Sequence, residues 1–484
     1  MYKKNIFIVY AALALAGAWL GGCAMVRPVV RMITYKRPEN PMQRRQYQME
    51  LLASPDQCRE YLALPDSAAK ERYWHRFWKA KDPTPTTERN ERFEEHQRRV
   101  AYADRNFRSM AYYWDDRGKI YIKYGEPDER EAYAMGQSPT DKWYAQMDTV
   151  STKRANLAGR VSATRPWEHW TYYTMGKEFY FVELRIGYQL TRNFQEAADA
   201  NYTNPGASRA VNMEQPGLAT EPPGDAYKHD FGRALDFPFG VCRFAAAKGA
   251  EVWVYYSVPL ARIGFDDSTG LGLLFRNVVV MDRDLREVGR DEEILRPRRV
   301  EDPATIRESQ AVDVCRFLLQ PGEYTIAISV EDMESGRIGI YKVPMEVIDY
   351  QKGVEETSDL LIAADIQSDS AEGRFRRGEY RLVPQASHSF RAGSPVYVYF
   401  EVYNLKPGPD SLCQAEVTYS MVSKKSERST TTEPARLESR QRTIDRAVAL
   451  PTEGLMPGDY ILLAEVRDLV SGKMRSLTRK FNLF

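Results

Sequence analysis

Asp115, Asp116, Glu126, Asp128 and Glu129 place five carboxylates in one short stretch of the chain, with Arg117 among them. Carboxylates grouped in this way can bind a cation, or work as an acid and base pair across a glycosidic or peptide bond. Neither use fits the spacing in detail. The Asp-x-Asp-x-Asp-Gly run of a calcium loop is missing, and glycoside cleavage needs a set separation between two carboxyl groups that spacing does not supply. The same residues are also turn formers. Asp116 is expected to accept a backbone N–H ahead of Gly118, and Arg117 to pair with Asp115, Glu126 or Asp128. Gly125 and Pro127 are expected to set a second turn. The stretch is therefore read as structural, with no catalytic residue; a hydrolase using Asp116 and Glu126 is the alternative.

Other reactive side chains are sparse. His75, His96, His169, His229 and His388 are scattered without ligand spacing, and Cys58, Cys242, Cys315 and Cys413 form no Cys-x-x-Cys pair. Cys242 and Cys315 could pair within one domain or stay as separate buried thiols. Nucleophile elbow, zincin, Walker and dinucleotide fingerprints are all absent from the sequence. No metal and no cofactor is expected.

The elements around the acidic stretch follow from periodicity. Asp116–Glu129 reads as a strand between two turns, because Ile120 and Ile122 alternate with Tyr121 and Lys123. Before it, Asp66 or Ser67 caps a helix to about Lys79 with Trp74, Phe77 and Trp78 on one face. Asp82-Pro83-Thr84-Pro85 breaks the pattern. A longer helix then runs from near Asn90 to about Arg108 with Phe93, Val100, Ala103 and Phe107 in a stripe. Residues 130–165 read as a long surface insertion. Trp167–Tyr173 and Glu178–Leu184 read as a hairpin turning at Met175-Gly176-Lys177. Tyr and Trp near 112–114 and 143–144 look exposed, which gives a second alternative, a glycan-binding module.

These residues carry a resemblance. Phe77-Trp78-Lys79-Ala80-Lys81-Asp82-Pro83-Thr84-Pro85, then Asn90-Glu91-Arg92-Phe93-Glu94-Glu95, then Arg98-Arg99-Val100-Ala101-Tyr102-Ala103, lead into Asp116-Arg117-Gly118 and Gly125-x-Pro127-Asp128-Glu129. With Arg165-Pro166-Trp167-Glu168-His169-Trp170 and Phe179-Tyr180-Phe181-Val182 they are similar to the GWxTD-domain family of bacterial envelope proteins, over about 70–185. At the Gly-Trp-x-Thr-Asp position this chain has Tyr112-Tyr113-Trp114-Asp115-Asp116, so only the final Asp agrees. The family has no established activity. The resemblance implies architecture and envelope location, and brings over no catalytic residue.

The N-terminus agrees with that location. Lys3 and Lys4 precede an apolar run, Ile6–Leu20, that ends in Leu20-Gly21-Gly22-Cys23. This has the form of a secretory signal and resembles a bacterial lipobox. The resemblance implies cleavage before Cys23 and acylation of Cys23; several acyl chains anchor stably where one is marginal. Ala24 next to it implies the outer membrane, facing the periplasm. The whole chain of 484 residues has 68 basic and 67 acidic side chains. Losing a leader with two lysines leaves it near neutral, with no electrostatic case for nucleic acid.

Beyond Asp230 the chain repeats itself. Leu319-Gln320-Pro321-Gly322-Glu323-Tyr324, with Asp332 and Ser335-Gly336-Arg337, is answered by Leu455-Met456-Pro457-Gly458-Asp459-Tyr460, with Asp468 and Ser471-Gly472-Lys473. Val252–Val258 is answered by Val396–Val402. Leu-x-Pro-Gly-x-Tyr resembles the tyrosine corner of immunoglobulin-like and fibronectin-like sandwiches, with Tyr324 and Tyr460 as the corner residues. The expected fold is α+β and multidomain. A leader (1–22) and tether (23–45) precede a helical hairpin with a small antiparallel sheet (46–190), then a linker (191–232) and two tandem sandwiches (233–350 and 351–484). The expected function is a non-catalytic, outer-membrane-anchored lipoprotein that docks an envelope protein partner.

Overall fold

The computed structural model describes residues 41–109, 113–134, 165–184, 187–191, 226–302, 305–306, 309–353, 356–368, 372–426 and 429–484. The leader, Cys23, most of the tether, Trp143, Tyr144 and most of the 191–232 linker lie outside them. The chain forms two compact units. One comprises the residues up to Pro83 with Asn90–His229; the other comprises Thr84–Arg89 with Asp230–Phe484. Among the described residues the longer helices lie in the first, and antiparallel sheets dominate the second.

The first unit holds α1 (Pro41–Leu52), α2 (Pro55–Ala63), α3 (Ser67–Ala80), α4 (Glu91–Asn106) and α5 (Asp116–Tyr124). Helix α1 starts inside the expected tether. Caps set the others: Ser54 and Gln57 form a reciprocal capping box, Asp66 accepts from Ala69 N, and Asn90 accepts from Phe93 N. Asn90 Nδ2 also donates to the Trp78 carbonyl at 2.8 Å, tying α3 to α4. The expected aromatic stripe is core, with Trp74, Phe77, Trp78, Val100, Ala103 and Phe107 all buried.

The stretch at 116–129 corrects the sequence reading, since it is helix α5 followed by strand β1 (Glu129–Tyr133). Alternating isoleucines mislead here because the helix is enclosed on most sides. Asp116, Gly118, Ile120, Ile122, Lys123 and Tyr124 are all buried, so the helix shows no single apolar stripe. Strand β1 pairs with β2 (Trp167–Tyr172), which pairs with β3 (Lys177–Leu184), which pairs with β4 (Gly187–Thr191). The β2–β3 hairpin turns at Tyr173–Met175 with Gly176 left-handed, near its expected place. β1 occupies the start of the expected insertion.

The second unit contains two modules. In the first, β5 (Arg233–Ala234), β6 (Phe239–Ala245), β7 (Ala250–Pro259), β8 (Leu274–Asp282), β9 (Glu287–Leu295), β10 (Gln310–Leu319), β11 (Gly322–Asp332) and β12 (Arg337–Val347) form sheets of order β10-β7-β6 and β5-β12-β11-β8-β9. The second has β13 (Glu356–Thr357), β14 (Leu361–Ser368), β15 (Arg376–Arg377), β16 (Tyr380–Pro384), β17 (Ser389–Phe390), β18 (Val396–Tyr403), β19 (Cys413–Ser423), β20 (Ser429–Thr431), β21 (Ala435–Ser439), β22 (Ile444–Leu450), β23 (Gly458–Asp468) and β24 (Met474–Leu483). Its sheets repeat those pairings: β22-β18-β14 answers β10-β7-β6, and β17-β24-β23-β19-β20 answers β5-β12-β11-β8-β9. In each module the two sheets share one apolar core, around Val254, Val280 and Ile328 in the first and Val398, Val417 and Leu462 in the second.

Candidate functional site

Asp115 and Asp116 lie at the start of α5, against the edge of the β1–β4 sheet, whereas Glu126, Asp128 and Glu129 follow the helix and are exposed. Asp115, not Asp116, is the N-cap: its Oδ1 accepts from Gly118 N at 3.2 Å. Its Oδ2 accepts from Arg117 Nη2 at 2.7 Å and Nε at 3.1 Å, and from Tyr188 N at 3.4 Å. Asp116 accepts from Leu190 N at 2.8 Å and from Lys119 Nζ at 2.6 Å. Both aspartates thus bond to outward amides of β4, closing a strand edge that would otherwise be open. Gly118 forms no turn; it lies within the first turn of α5, where a Cβ would sit 2.6 Å from Trp114 Cβ and 3.0 Å from Phe107 Cβ. Gly125 ends the helix at φ +86°, and its carbonyl accepts from Tyr172 Oη at 2.9 Å.

Arg117 runs from Asp115 to Glu168, 2.5 Å from the latter, with its guanidinium over the Tyr188 ring at 3.5 Å. Glu168 also takes Arg130 Nε at 3.0 Å and Trp170 Nε1 at 2.8 Å. Glu168 and Arg130 were not singled out by sequence, because nothing in their spacing marks them. Burial pushes Asp115 above the usual carboxylate range against the pull of Arg117. Burial also opposes charge on Glu168, yet Arg130, Arg117 and the Trp170 N–H together hold it below that range. Asp128 is exposed and accepts from Tyr173 N at 2.7 Å, while Glu129 meets the Tyr173 hydroxyl. Pro127 is half-buried just beyond the helix end. The buried acids of the motif are held by main-chain amides and cations of their own unit. They do not form a free acid and base pair facing a cleft.

The aromatic residues do not form a sugar platform in the described residues. Tyr113 and Trp114 are buried, Trp114 Nε1 donates to Asp104 at 2.9 Å, and Tyr47 stacks on Trp114. This corrects the exposed reading of those two rings: Trp114 lies under Tyr47 of α1, a helix the sequence reading did not describe. His169 is in β2, stacked on Tyr180 at 4.4 Å. Among the described residues no group of His, Cys, Asp and Glu is arranged to hold a metal ion. The four described cysteines are free thiols. Cys242 and Cys315 lie on opposite faces of one sheet, because Cys242 pairs with Trp253 and Cys315 with Val254.

The repeat positions take matching roles. Tyr324 Oη donates to the Gln320 carbonyl at 2.9 Å, and Tyr460 Oη to the Met456 carbonyl at 2.7 Å. Fully buried Asp332 accepts from Gly264 N at 2.7 Å, and fully buried Asp468 from Lys406 N at 3.2 Å. Each of these acids fastens the loop that follows β7 or β18.

A second charged cluster, unmarked by any sequence motif, lies between the two modules. Arg377 gives Nε to Glu401 at 2.6 Å and Nη2 to the other Glu401 oxygen at 3.0 Å, and also meets Glu251. Glu401 additionally accepts from Tyr399 at 2.7 Å and Tyr403 at 2.9 Å. Arg243 grips Asp359 with Nε and Nη2, both at 2.8 Å. Beneath these, Cys242, Phe244, Trp253, Tyr255 and Val314 pack on Leu361, Leu382, Ala386 and Tyr399.

No family model matches the chain. No curated protein matches it. Among solved structures, Escherichia coli alpha-2-macroglobulin activated by porcine elastase aligns with 51% of this chain and 23% of its own, at 13% identity and a TM-score of 0.18. The chain thus spans under a quarter of that protein, and a likeness at this score carries no argument here. Among the described residues no helix is long and apolar enough to cross a membrane.

Proposed function

We propose that this chain is a non-catalytic scaffold of a bacterial envelope, a GWxTD-like protein anchored through acylated Cys23 to the periplasmic face of the outer membrane. The observation that carries the non-catalytic part is the state of the motif acids. Asp115, Asp116 and Glu168 are buried and bonded to Gly118, Tyr188 and Leu190 amides, Arg117, Lys119, Arg130 and Trp170. A carboxylate so engaged is committed to donors of its own unit and would have to break a buried ion pair to act.

The modules that follow are fibronectin-like sandwiches in this reading. Two sheets enclose one core in each, of three and five strands in the first and six and six in the second, and a tyrosine at the start of β11 or β23 bonds back to the main chain four residues earlier. Such modules serve docking to another protein. The anchor rests on Leu20-Gly21-Gly22-Cys23 and the apolar run before it.

Labelled palmitate supplied to cells expressing the chain tests the anchor, with Cys23→Ser as control. Label on the wild type alone supports it, and an unlabelled wild type removes it. Incubating the purified chain with peptidoglycan tests the rest. Hydrolysis that is lost in Asp116→Asn would replace the scaffold with the hydrolase.

A further inference from the structure

The central strand of the first module's three-strand sheet, β7, is buried on both faces. Val252, Val254, Tyr256 and Val258 face its own core, while Trp253 and Tyr255 face the second module, and all are fully buried. An outer face of this kind has no solvent-adapted form. The second module, in turn, sends a short strap, residues 372–377, back over that sheet. Arg374 meets Asp313, which is fully buried, and Glu293 at 2.7 Å. Arg316, from the first module, donates to the strap carbonyls of Gly373 at 3.1 Å and Arg376 at 2.9 Å. Arg377 is claimed by one carboxylate from each side, Glu251 and Glu401, and its guanidinium lies 4.6 Å over the Phe244 ring.

The free edge of β6 is closed in the same way. Arg243 N donates to the Asp359 carboxylate at 2.9 Å, and Asp359 N returns a bond to the Arg243 carbonyl at 3.1 Å. Ala245 N donates to the Tyr403 hydroxyl at 2.9 Å. Arg479 bonds the carbonyls of Val241 at 3.0 Å and Leu360 at 2.9 Å, one in each module. Main chain, cations and apolar rings of one module are thus completed only by the other.

We propose that the strap makes the two modules a single cooperative body: an interlock in which neither copy opens without the other, in place of two beads joined by a hinge. Independent modules would expose the Trp253 and Tyr255 face and would take Arg374 from buried Asp313 and Glu251 from Arg377, so that apolar surface and charge pairing are lost together. Cooperative units of this kind show as one set of amides with a common opening reaction.

Native-state hydrogen exchange on the full chain in low urea tests this. The slowest amides of β11 (Ile326, Ile328) and β23 (Leu462, Ala464) are expected to exchange at rates within threefold of one another, with the same urea dependence. Arg377→Ala is expected to speed exchange at both strands by at least tenfold and by the same factor, although Arg377 touches neither. If Arg377→Ala does not fold, Arg374→Ala at the strap's more exposed end gives the same paired response at smaller amplitude. Wild-type rates that part by more than tenfold between the two strands overturn the interlock. So does a strap variant that speeds one strand and leaves the other unchanged.

Discussion

Two arginines in this chain sit in nearly the same surroundings and do opposite jobs. Arg117 lies between Asp115 and Glu168 with its guanidinium over Tyr188, and every partner belongs to one small helix-and-sheet body. Arg377 lies between Glu251 and Glu401 over Phe244, and its partners come from two copies of a repeated module. The first closes a motif on itself; the second joins two folds. Local chemistry is the same in both, so what a buried ion pair accomplishes is decided by which elements carry its ends.

The comparison can be broken most directly at Arg117. Arg117→Met leaves buried Asp115 with main-chain donors only, although Glu168 keeps Arg130 and Trp170, and is expected to cost about 3–5 kcal/mol. The loss should appear in urea denaturation of the first unit. Arg377→Met is expected to cost less, about 2–3 kcal/mol, because Glu401 keeps the Tyr399 and Tyr403 hydroxyls. Equal losses would mean that the two networks are not distinguished by their remaining donors.

Acid separates the two regions further. His388, in the second unit, is held neutral by burial and by nearby Arg479, its pKa lowered from 6.5 to about 4. The unfolded chain therefore binds a proton that the folded chain refuses between those values. Stability is full above about 6.5 and falls with pH down to about 4, by about 3 kcal/mol in all. Urea midpoints of the second unit measured across that window should show the slope, and His388→Gln should flatten it.

Gly118→Ala sharpens the first region by shape instead of charge. The added methyl meets the Trp114 and Phe107 Cβ atoms at 2.6 and 3.0 Å, and is expected to cost about 1–3 kcal/mol in thermal denaturation. The smallest effects are expected at the two tyrosine corners. Tyr460→Phe should cost about 1 kcal/mol and Tyr324→Phe less, since Tyr460 is buried and the Tyr324 hydrogen bond is exposed to water. Paired denaturation curves would reveal any inversion of that order.

The repeat was legible in the sequence because tyrosine corners and Ser-Gly turns demand particular residues at particular spacings. Helices α3 and α4 were legible from Asp66, Asn90 and the aromatic stripe. Helix α5 was not, because an enclosed helix buries Ile120 and Ile122 alike and so imitates a strand's alternation. The backbone bond expected of Asp116 ahead of Gly118 is made by Asp115, and Asp116 accepts from the Leu190 amide of β4 instead, a partner that tertiary folding alone supplies. The junction went unread although it had a signal. Val252-Trp253-Val254-Tyr255-Tyr256 is an unbroken apolar run, as a sheet covered on both faces requires, whereas a strand with one wet face alternates. Glu168, Glu401 and Arg377 carry no such local mark; their partners are brought to them by tertiary folding alone.

The strap belongs to the second copy, and Asp313, Glu293 and Glu251, which receive its arginines, belong to the first. The tandem therefore has a direction: two copies alike in strand order present unlike surfaces to each other, one carrying arginines and the other the acids that receive them.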